Sequence, residues 1–363
     1  MNNLQSQSIV GSSDSRRICL SVVVPIFGVE QYLRQCVDSV LAACEGIPSQ
    51  VILVDDGGID GCPAICDEYE RKNDGCGGRC EVVVIHKENG GYGSAVNAGF
   101  DLAKGEWISI VEPDDWVEKG MYATLLSGVA GEKVDIVKAK FQYVLPSGVI
   151  QIPEDWEGIP IDDVFRIEEY PDILARHPSI WSAIYRRTFL RRHDIRMREV
   201  PGAGWVDNPF LVQTMCLAHG ICFKPTIVYN YRSTLDSLCE LRGKWEMPYA
   251  RMKDELAWFG NNKVPLEVLC ARYRAYVHYL WLMSECALTD ATIWSNVIHA
   301  VQDVSRELDW GAIVGSSVLS RTEKMAFWLY RHMPRFAILR IKYRPLGRVA
   351  SVLLKIIGLF VLK

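Results

Sequence analysis

The chain has 363 residues, 49% of them hydrophobic and 23% charged, enough to bury a catalytic core plus an accessory region, which excludes a disordered polymer, a collagen and a coiled coil. Its formal net charge of -4 is an uneven sum. After residue 320 there are 10 basic residues and one acidic residue, Glu323, so an acidic body precedes a basic tail.

Residues 1–17, MNNLQSQSIVGSSDSRR, are polar and lack the apolar core of a secretory signal. They read as a disordered leader, and the 12 cysteines, dilute over this length, as the reduced thiols of a cytoplasmic protein. Over 18–120, short apolar runs alternate with amphipathic segments, the pattern of β-α-β units on a mostly parallel sheet. Strands are expected at 19–25, 50–54, 80–86 and 107–111, and helices at 29–43, 61–72 and 94–103. From 121 to 240, proline and glycine turn signals break the chain into shorter helices and strands. A helical region follows over 241–320, where Tyr249, Trp258, Tyr273, Tyr276, Tyr279 and Trp281 recur at helical spacing as packed core.

The last segment, 321–363, is basic and amphipathic. Arg344, Arg348 and Lys355 share one face of a helix expected to begin near Pro345, opposite Val349, Val352, Leu353, Ile356 and Ile357. It is short and charged for a membrane span and suits a helix lying on an anionic membrane surface, with Arg331, Arg335, Arg340 and Lys342 extending the positive surface. Docking of this helix on the acidic body is the alternative. No nucleic-acid-binding motif accompanies the charge.

Parallel sheets bind ligands beyond the carboxyl ends of their strands, and the expected ends carry unusual residues. They are Pro25-Ile26-Phe27, Asp55-Asp56-Gly57-Gly58, Asn89-Gly90-Gly91-Tyr92-Gly93 and Glu112-Pro113-Asp114-Asp115. Five carboxylates on one rim repel one another unless a cation or hydrogen-bond donor joins them, and Mg²⁺ or Mn²⁺ with phosphate oxygens fits that need. The glycine turn follows the third strand, not the first, and has Val96 where a dinucleotide fingerprint needs glycine; a phosphate-binding G-x-x-x-x-G-K-[ST] is absent. Cys62, Cys66, Cys76 and Cys80 form two C-x3-C pairs, a candidate zinc site, although Cys62 and Cys66 fall in an expected helix. His86, His177, His193 and His219 lack ligand spacing and read as core or surface histidines.

Taken in order, SVVVPIFGVEQYLRQCVDSVL, VILVDDGGIDG and HKENGGYGSAVNAGFDLAKGEWISIVEPDDW resemble the start of a family 2 glycosyltransferase of the bacterial polysaccharide type, with the Rossmann-like, nucleotide-sugar-binding GT-A fold. The resemblance implies a donor-binding half over 18–120 and an acceptor half over 121–240. It places Pro25 and Asp56 at the donor base, Asp55 beside them, Asp114 at the ribose and Asp115 on the metal, with Asp114 and Glu112 as further ligands. Glu112 stands where the family more often has Asp, and Val96 where it often has Arg, so Lys87 or Lys104 would supply that charge; Asn97 is retained. SIWSAIYRRTFLRRHDIRMREVPGAGWVDNPF resembles the acceptor region, with Asp207 as catalytic base at the head of a helix over 208–218. Tyr229-Asn230-Tyr231-Arg232 resembles the close of the catalytic domain, with Arg232 near the diphosphate, and Trp181, Trp205 or Tyr231 could stack on a sugar or pack in the core.

The activity implied is inverting, metal-assisted transfer from a nucleotide-sugar, UDP-linked, to a glycan or lipid-linked acceptor on the inner face of the membrane. Departures at Glu112 and Val96 keep a second expectation open, a scaffold subunit of the same fold without catalysis.

Overall fold

The computed structural model describes residues 18–73, 80–127, 133–148, 150–153, 157–233 and 244–342. The leader, Cys76 and the helix expected near Pro345 lie outside these.

The first half follows the sequence closely. Strands β1 (Leu20–Ile26), β2 (Ser49–Asp55), β3 (Cys80–His86) and β4 (Trp107–Ile110) alternate with helices α1 (Glu30–Ala43), α2 (Cys62–Asn73) and α3 (Tyr92–Leu102). β1 and β2 are buried along their whole length, which is why their sequences are continuous apolar runs without polar alternation. α1 buries Leu33, Cys36, Val37 and Val40, one stripe at helical spacing. α3 lies so close to β1 that a Cβ on Gly99 would sit 2.3 Å from Val23 Cγ1.

The sheet runs β3-β2-β1-β4-β9-β6-β10-β5, with β5 (Trp116–Val117), β6 (Ile136–Val144), β9 (Ala183–Arg186) and β10 (Ile221–Arg232) forming its second half. β7 (Ile150–Gln151) pairs with β6 and β8 (Val164–Phe165) with β10. The first four strands are parallel; β9 is antiparallel to both β4 and β6, and β6 is parallel to β10. The carboxyl ends of β1, β2, β3, β4, β6 and β10 therefore share one edge. Register brings Ile26 beside Asp55 and Asp55 beside His86, so Phe27, Asp56 and Lys87 emerge together.

Three short helices, α4 (Met121–Leu126), α5 (Arg187–Arg192) and α6 (Asp207–Leu217), complete the sheet layer. Six more follow: α7 (Glu246–Asn261), α8 (Leu266–Thr289), α9 (Trp294–Glu307), α10 (Trp310–Gly315), α11 (Arg321–His332) and α12 (Pro334–Lys342). They enclose a second core, in which Tyr273, Tyr276 and Tyr279 are buried as their spacing predicts. Residues 321–342 belong to this core through Phe327, Leu329, Tyr330 and Ile338, so the segment expected as a continuous basic tail begins as two packed helices. A capping box between Ser320 and Glu323 starts α11.

Candidate active site

The four expected strand-end groups stand on the shared edge, but several are engaged with the protein itself. Asp55 is buried; its Oδ1 accepts from Gly58 N at 2.9 Å and its Oδ2 lies 2.8 Å from His86 Nδ1. His86 also meets Asp67 at 2.9 Å, and these two carboxylates, Asp55 first, raise its pKa. Asp55 thus holds the loop after β2. Asp56, 2% exposed, accepts from Lys87 Nζ (2.5 Å) and Gly90 N (3.0 Å) on Oδ1 and from Gly91 N (2.8 Å) on Oδ2. A carboxylate oxygen has two lone-pair positions, so one acceptor position remains on Oδ2. Pro25 is buried in β1, while Phe27, expected at the strand end without a role of its own, is 52% exposed there.

The glycine turn is a joint between the first half of the sheet layer and the segment at residues 198–202. Gly91 has φ +85, and a Cβ there would meet Val200 O at 2.2 Å; one on Gly93 would meet Arg198 O at 2.1 Å. Asn97 closes the same joint. Its Nδ2 donates to Met197 O (2.9 Å) and Glu199 Oε1 (2.8 Å), and its Oδ1 accepts from Met197 N (2.9 Å). Where a donor contact was expected of Asn97, the residue is 3% exposed and its amide bonds hold the segment that leads to Asp207. Val96 is buried in the core. Lys104 lies just before β4, at the opposite edge of the sheet, where it pairs with Glu81, so of the two lysines considered only Lys87 stands near the strand ends.

Beyond β4 the acidic segment forms the floor of the site. Tyr92 Oη donates to Glu112 Oε1 at 2.6 Å, and burial, with the charges of Asp114 and Asp207, pushes the Glu112 carboxyl up to about 8 despite that bond. Asp114 is also raised by burial, partly offset by Arg232. Asp115, 1% exposed, accepts from Arg232 N (2.6 Å) and Tyr229 Oη (2.9 Å), yet burial and the charges of Asp114 and Glu112 raise it well above the usual range. Arg232 itself is tied down: Nε donates to Asp114 O (2.7 Å), Nη2 to Gln35 Oε1 (2.7 Å), and the guanidinium lies over Tyr32 and Trp116 at 4.5 and 4.8 Å. It braces the acidic loop from behind. The carboxylates of Glu112, Asp114 and Asp115, each raised in part by burial, are hard oxygen donors of the kind Mg²⁺ and Mn²⁺ take, although among the described residues no group of three or more His, Cys, Asp or Glu is placed to hold a metal ion by itself. Of the cysteine cluster, Cys76 lies outside the described residues; Cys62 and Cys66 are buried thiols, raised to about 12 by burial.

Asp207 is the first residue of α6, a helix that begins one residue earlier than its expected span. Burial raises its carboxyl to about 6, against the opposing pull of Arg272 and of Asn208 N–H. Trp205, two residues before it, has φ +56, a left-handed backbone that a side chain of this size adopts only when its surroundings impose it. Its ring packs on Tyr279 at 5.3 Å. Trp181 is buried and stacked on Tyr229 (4.1 Å) and Tyr231 (5.4 Å), which makes it core and not a sugar platform; Tyr231 remains partly exposed.

Behind Asp207 lies a network that no spacing announced. Arg272, fully buried on α8, makes a two-point pair with Glu255 of α7 (Nε to Oε2 2.7 Å, Nη2 to Oε1 2.8 Å) and donates to Leu174 O and to Asn208 Oδ1. Tyr279 Oη donates to the same Asn208 oxygen at 2.6 Å, and Asn208 Nδ2 reaches Asp207 Oδ1 at 3.2 Å. The helical region therefore fixes the residue next to the candidate base.

These features agree with what the chain is similar to. The glycosyltransferase GlyG of Streptococcus pneumoniae serotype 4 is 40% identical over 242 residues, 64% of this chain and 76% of that protein. The uncharacterized glycosyltransferase EpsJ of Bacillus subtilis is 27% identical over 247 residues, and the chain spans 65% of its length. Among solved structures, S. aureus TarS 1-349 in complex with UDP-GlcNAc superposes with a TM-score of 0.64 at 17% identity, over 86% of this chain and 87% of that one, a likeness of GT-A fold. Residues 21–193 match the family described as Glycosyl transferase family 2, and with the GlyG likeness this establishes that the chain belongs to that family of transferases.

Proposed function

We propose that the protein is an inverting glycosyltransferase that moves a sugar from a nucleotide-sugar, UDP-linked, to a glycan or lipid-linked acceptor in cell-surface polysaccharide synthesis, acting at the inner face of the membrane. One observation carries this reading. Glu112, Asp114 and Asp115 from the first half and Asp207 from the second stand close enough on one edge for Asp207 to raise the pKa of Glu112. That proximity of a carboxylate from the second half to those of the first supports a site shared by donor and acceptor.

In this reading Phe27 offers a face for the base and Asp56, through its remaining acceptor position, one hydrogen bond to it. Pro25 shapes the base pocket through its backbone, and Asp114 faces the ribose. Asp115 and Asp114, with Glu112 behind, would hold Mn²⁺ or Mg²⁺, which when bound would neutralise charge on the leaving diphosphate. Asp207 accepts the proton of the acceptor hydroxyl as that oxygen attacks the anomeric carbon from the face opposite the diphosphate. A carboxyl near 6 is mostly ionised at neutral pH while more basic than an exposed aspartate, which suits a general base. Asp55, Asn97 and Arg232 hold the loops that carry these groups.

The test is UDP release from a panel of UDP-sugars with Mn²⁺, read beside donor binding. Wild type is expected to release UDP, and Asp115→Ala to bind donor more weakly and release none. If wild type releases nothing under any metal condition while Asp115→Ala binds donor equally well, the catalytic reading fails in favour of a scaffold of the same fold.

A further inference from the structure

α12 is an amphipathic helix with its apolar residues on both sides. Ala337 and Ile338 are buried in the helical core, while Arg335, Phe336 and Leu339, at positions that fall on one helical face, are exposed, with Met333 exposed just before them. Phe336 and Leu339 expose 36% and 40% of their surface, and Met333 42%. Three large apolar side chains standing together are a patch, where single exposed hydrophobics need no explanation. Basic charge borders it: Arg335 on the face, Arg340 beside it and Arg331 and His332 in the preceding turn of α11. The only acidic residue after residue 320 is Glu323, and it is bound to Arg274 at 3.0 Å on the other end of α11. Next to α12 opens a groove of about 510 Å³ walled by Val277, Trp281, Ala326, Ala337, Arg340 and Ile341. Among the described residues no helix is long and apolar enough to cross a membrane.

We propose that the Met333–Phe336–Leu339 face of α12 docks on the surface of an anionic lipid bilayer, with Phe336 and Leu339 entering the boundary between headgroups and acyl chains and Arg335 and Arg340 meeting lipid phosphates. Charge and exposure together select this occupant: Arg335 and Arg340 flank the exposed Phe336 and Leu339, the pairing of basic and apolar side chains that an anionic bilayer surface takes up, and docking of a second copy is the outcome that light scattering would reveal. An interfacial helix needs an apolar face, a basic flank and a firm seat, and α12 has all three, the last through Ile338 and Ala337. The inference rests on the transfer reading only for the location of the acceptor; the surface itself stands without it.

The experiment is co-sedimentation of the full chain with phosphatidylcholine vesicles, with and without phosphatidylglycerol. Wild type is expected to sediment with the anionic vesicles, weakly with neutral ones, and less as salt rises. Phe336→Ser with Leu339→Ser should lower the partition coefficient on the order of tenfold or more, and Arg335→Glu with Arg340→Glu by a similar factor, on anionic vesicles only. Unchanged thermal melting and unchanged UDP release from a UDP-sugar distinguish these losses from misfolding. The proposal is overturned if wild type ignores anionic vesicles, if binding persists in both double variants and disappears only when residues 343–363 are removed, or if Phe336→Ser with Leu339→Ser instead dissolves a dimer seen by light scattering. Vesicle binding without UDP release from any donor would leave this surface standing and remove the transfer reading alone.

Discussion

Two buried charge clusters in this molecule are built on opposite principles. In the helical core, Arg272 and Glu255 are both fully buried, and the guanidinium and carboxylate neutralise each other at two points, with Tyr276 Oη donating to Glu255 and Asn208 Oδ1 and Leu174 O accepting from Arg272. At the sheet edge, Glu112, Asp114 and Asp115 are crowded together with Asp207 nearby, and the nearest guanidinium, Arg232, points its bonds at a carbonyl and at Gln35. The first cluster is complete without any ligand. The second carries hydrogen bonds from Tyr92, Tyr229 and the Arg232 amide but no cation paired with it at two points, and burial raises the pKa of all four carboxylates. The difference separates structure from function more sharply than burial alone, because both clusters are buried.

The largest effect is expected where the unbalanced cluster does chemistry. Asp207→Asn should lower sugar transfer by about 10² to 10⁴-fold, the usual share of a general base, with donor binding retained. In wild type, kcat/KM should fall as the pH drops through about 6, because the protonated carboxyl cannot accept the acceptor's proton, and hold above it. A pH-independent rate between pH 5 and 8 would remove Asp207 from that role. The balanced cluster should respond in stability instead. Arg272→Ala strands the Glu255 charge and is expected to cost about 3–5 kcal/mol in urea denaturation, whereas Arg272→Met with Glu255→Met should recover most of it. Failure of the double variant to recover would mean that the bonds to Asn208 and Leu174, and not the charge pair, hold the region together. The smallest effect has the opposite sign: without divalent metal, Glu112→Gln should raise stability by about 1 kcal/mol, seen as a higher melting temperature, while transfer falls. A destabilised Glu112→Gln would show that the bond from Tyr92 outweighs the repulsion.

The parallel half was legible in the sequence because its signals are local. Expected strands 80–86 and 107–111 and helix 29–43 differ from β3, β4 and α1 by a residue or less, since continuous apolar runs and a 3.6-residue stripe are properties of neighbouring residues. The acidic segment 112–115 and Asp207 were singled out for a different reason, a resemblance in order and spacing, and what the structure adds is that Asp207 lies near enough to Glu112 to raise its pKa. What could not be read were partners distant in the chain. Asn97 bonds Met197 across 100 residues, and nothing around Asn97 distinguishes that job from a ligand contact. Arg272 and Glu255 look like ordinary charges on the polar sides of two helices until the fold buries both. The antiparallel β9, inserted between β4 and β6, is likewise set by packing of elements about 75 residues apart, as Ser109 pairs with Ile184. Phe27 was placed at a strand end but given no role, because a single aromatic there has no pattern; its exposure marks it.

The close approach of Gly91 and Gly93 to residues 198–202 has a consequence for how the two substrates communicate. Asp56 grips the amides of Gly90 and Gly91, Tyr92 N donates to Gly202 O at 3.1 Å, and the chain from Gly202 runs five residues to Asp207. In the proposed reading the donor pocket and the acceptor base are thus joined through one short run of backbone, and substitutions at Gly91, where a Cβ would meet Val200 O at 2.2 Å, are expected to appear in assays of either substrate.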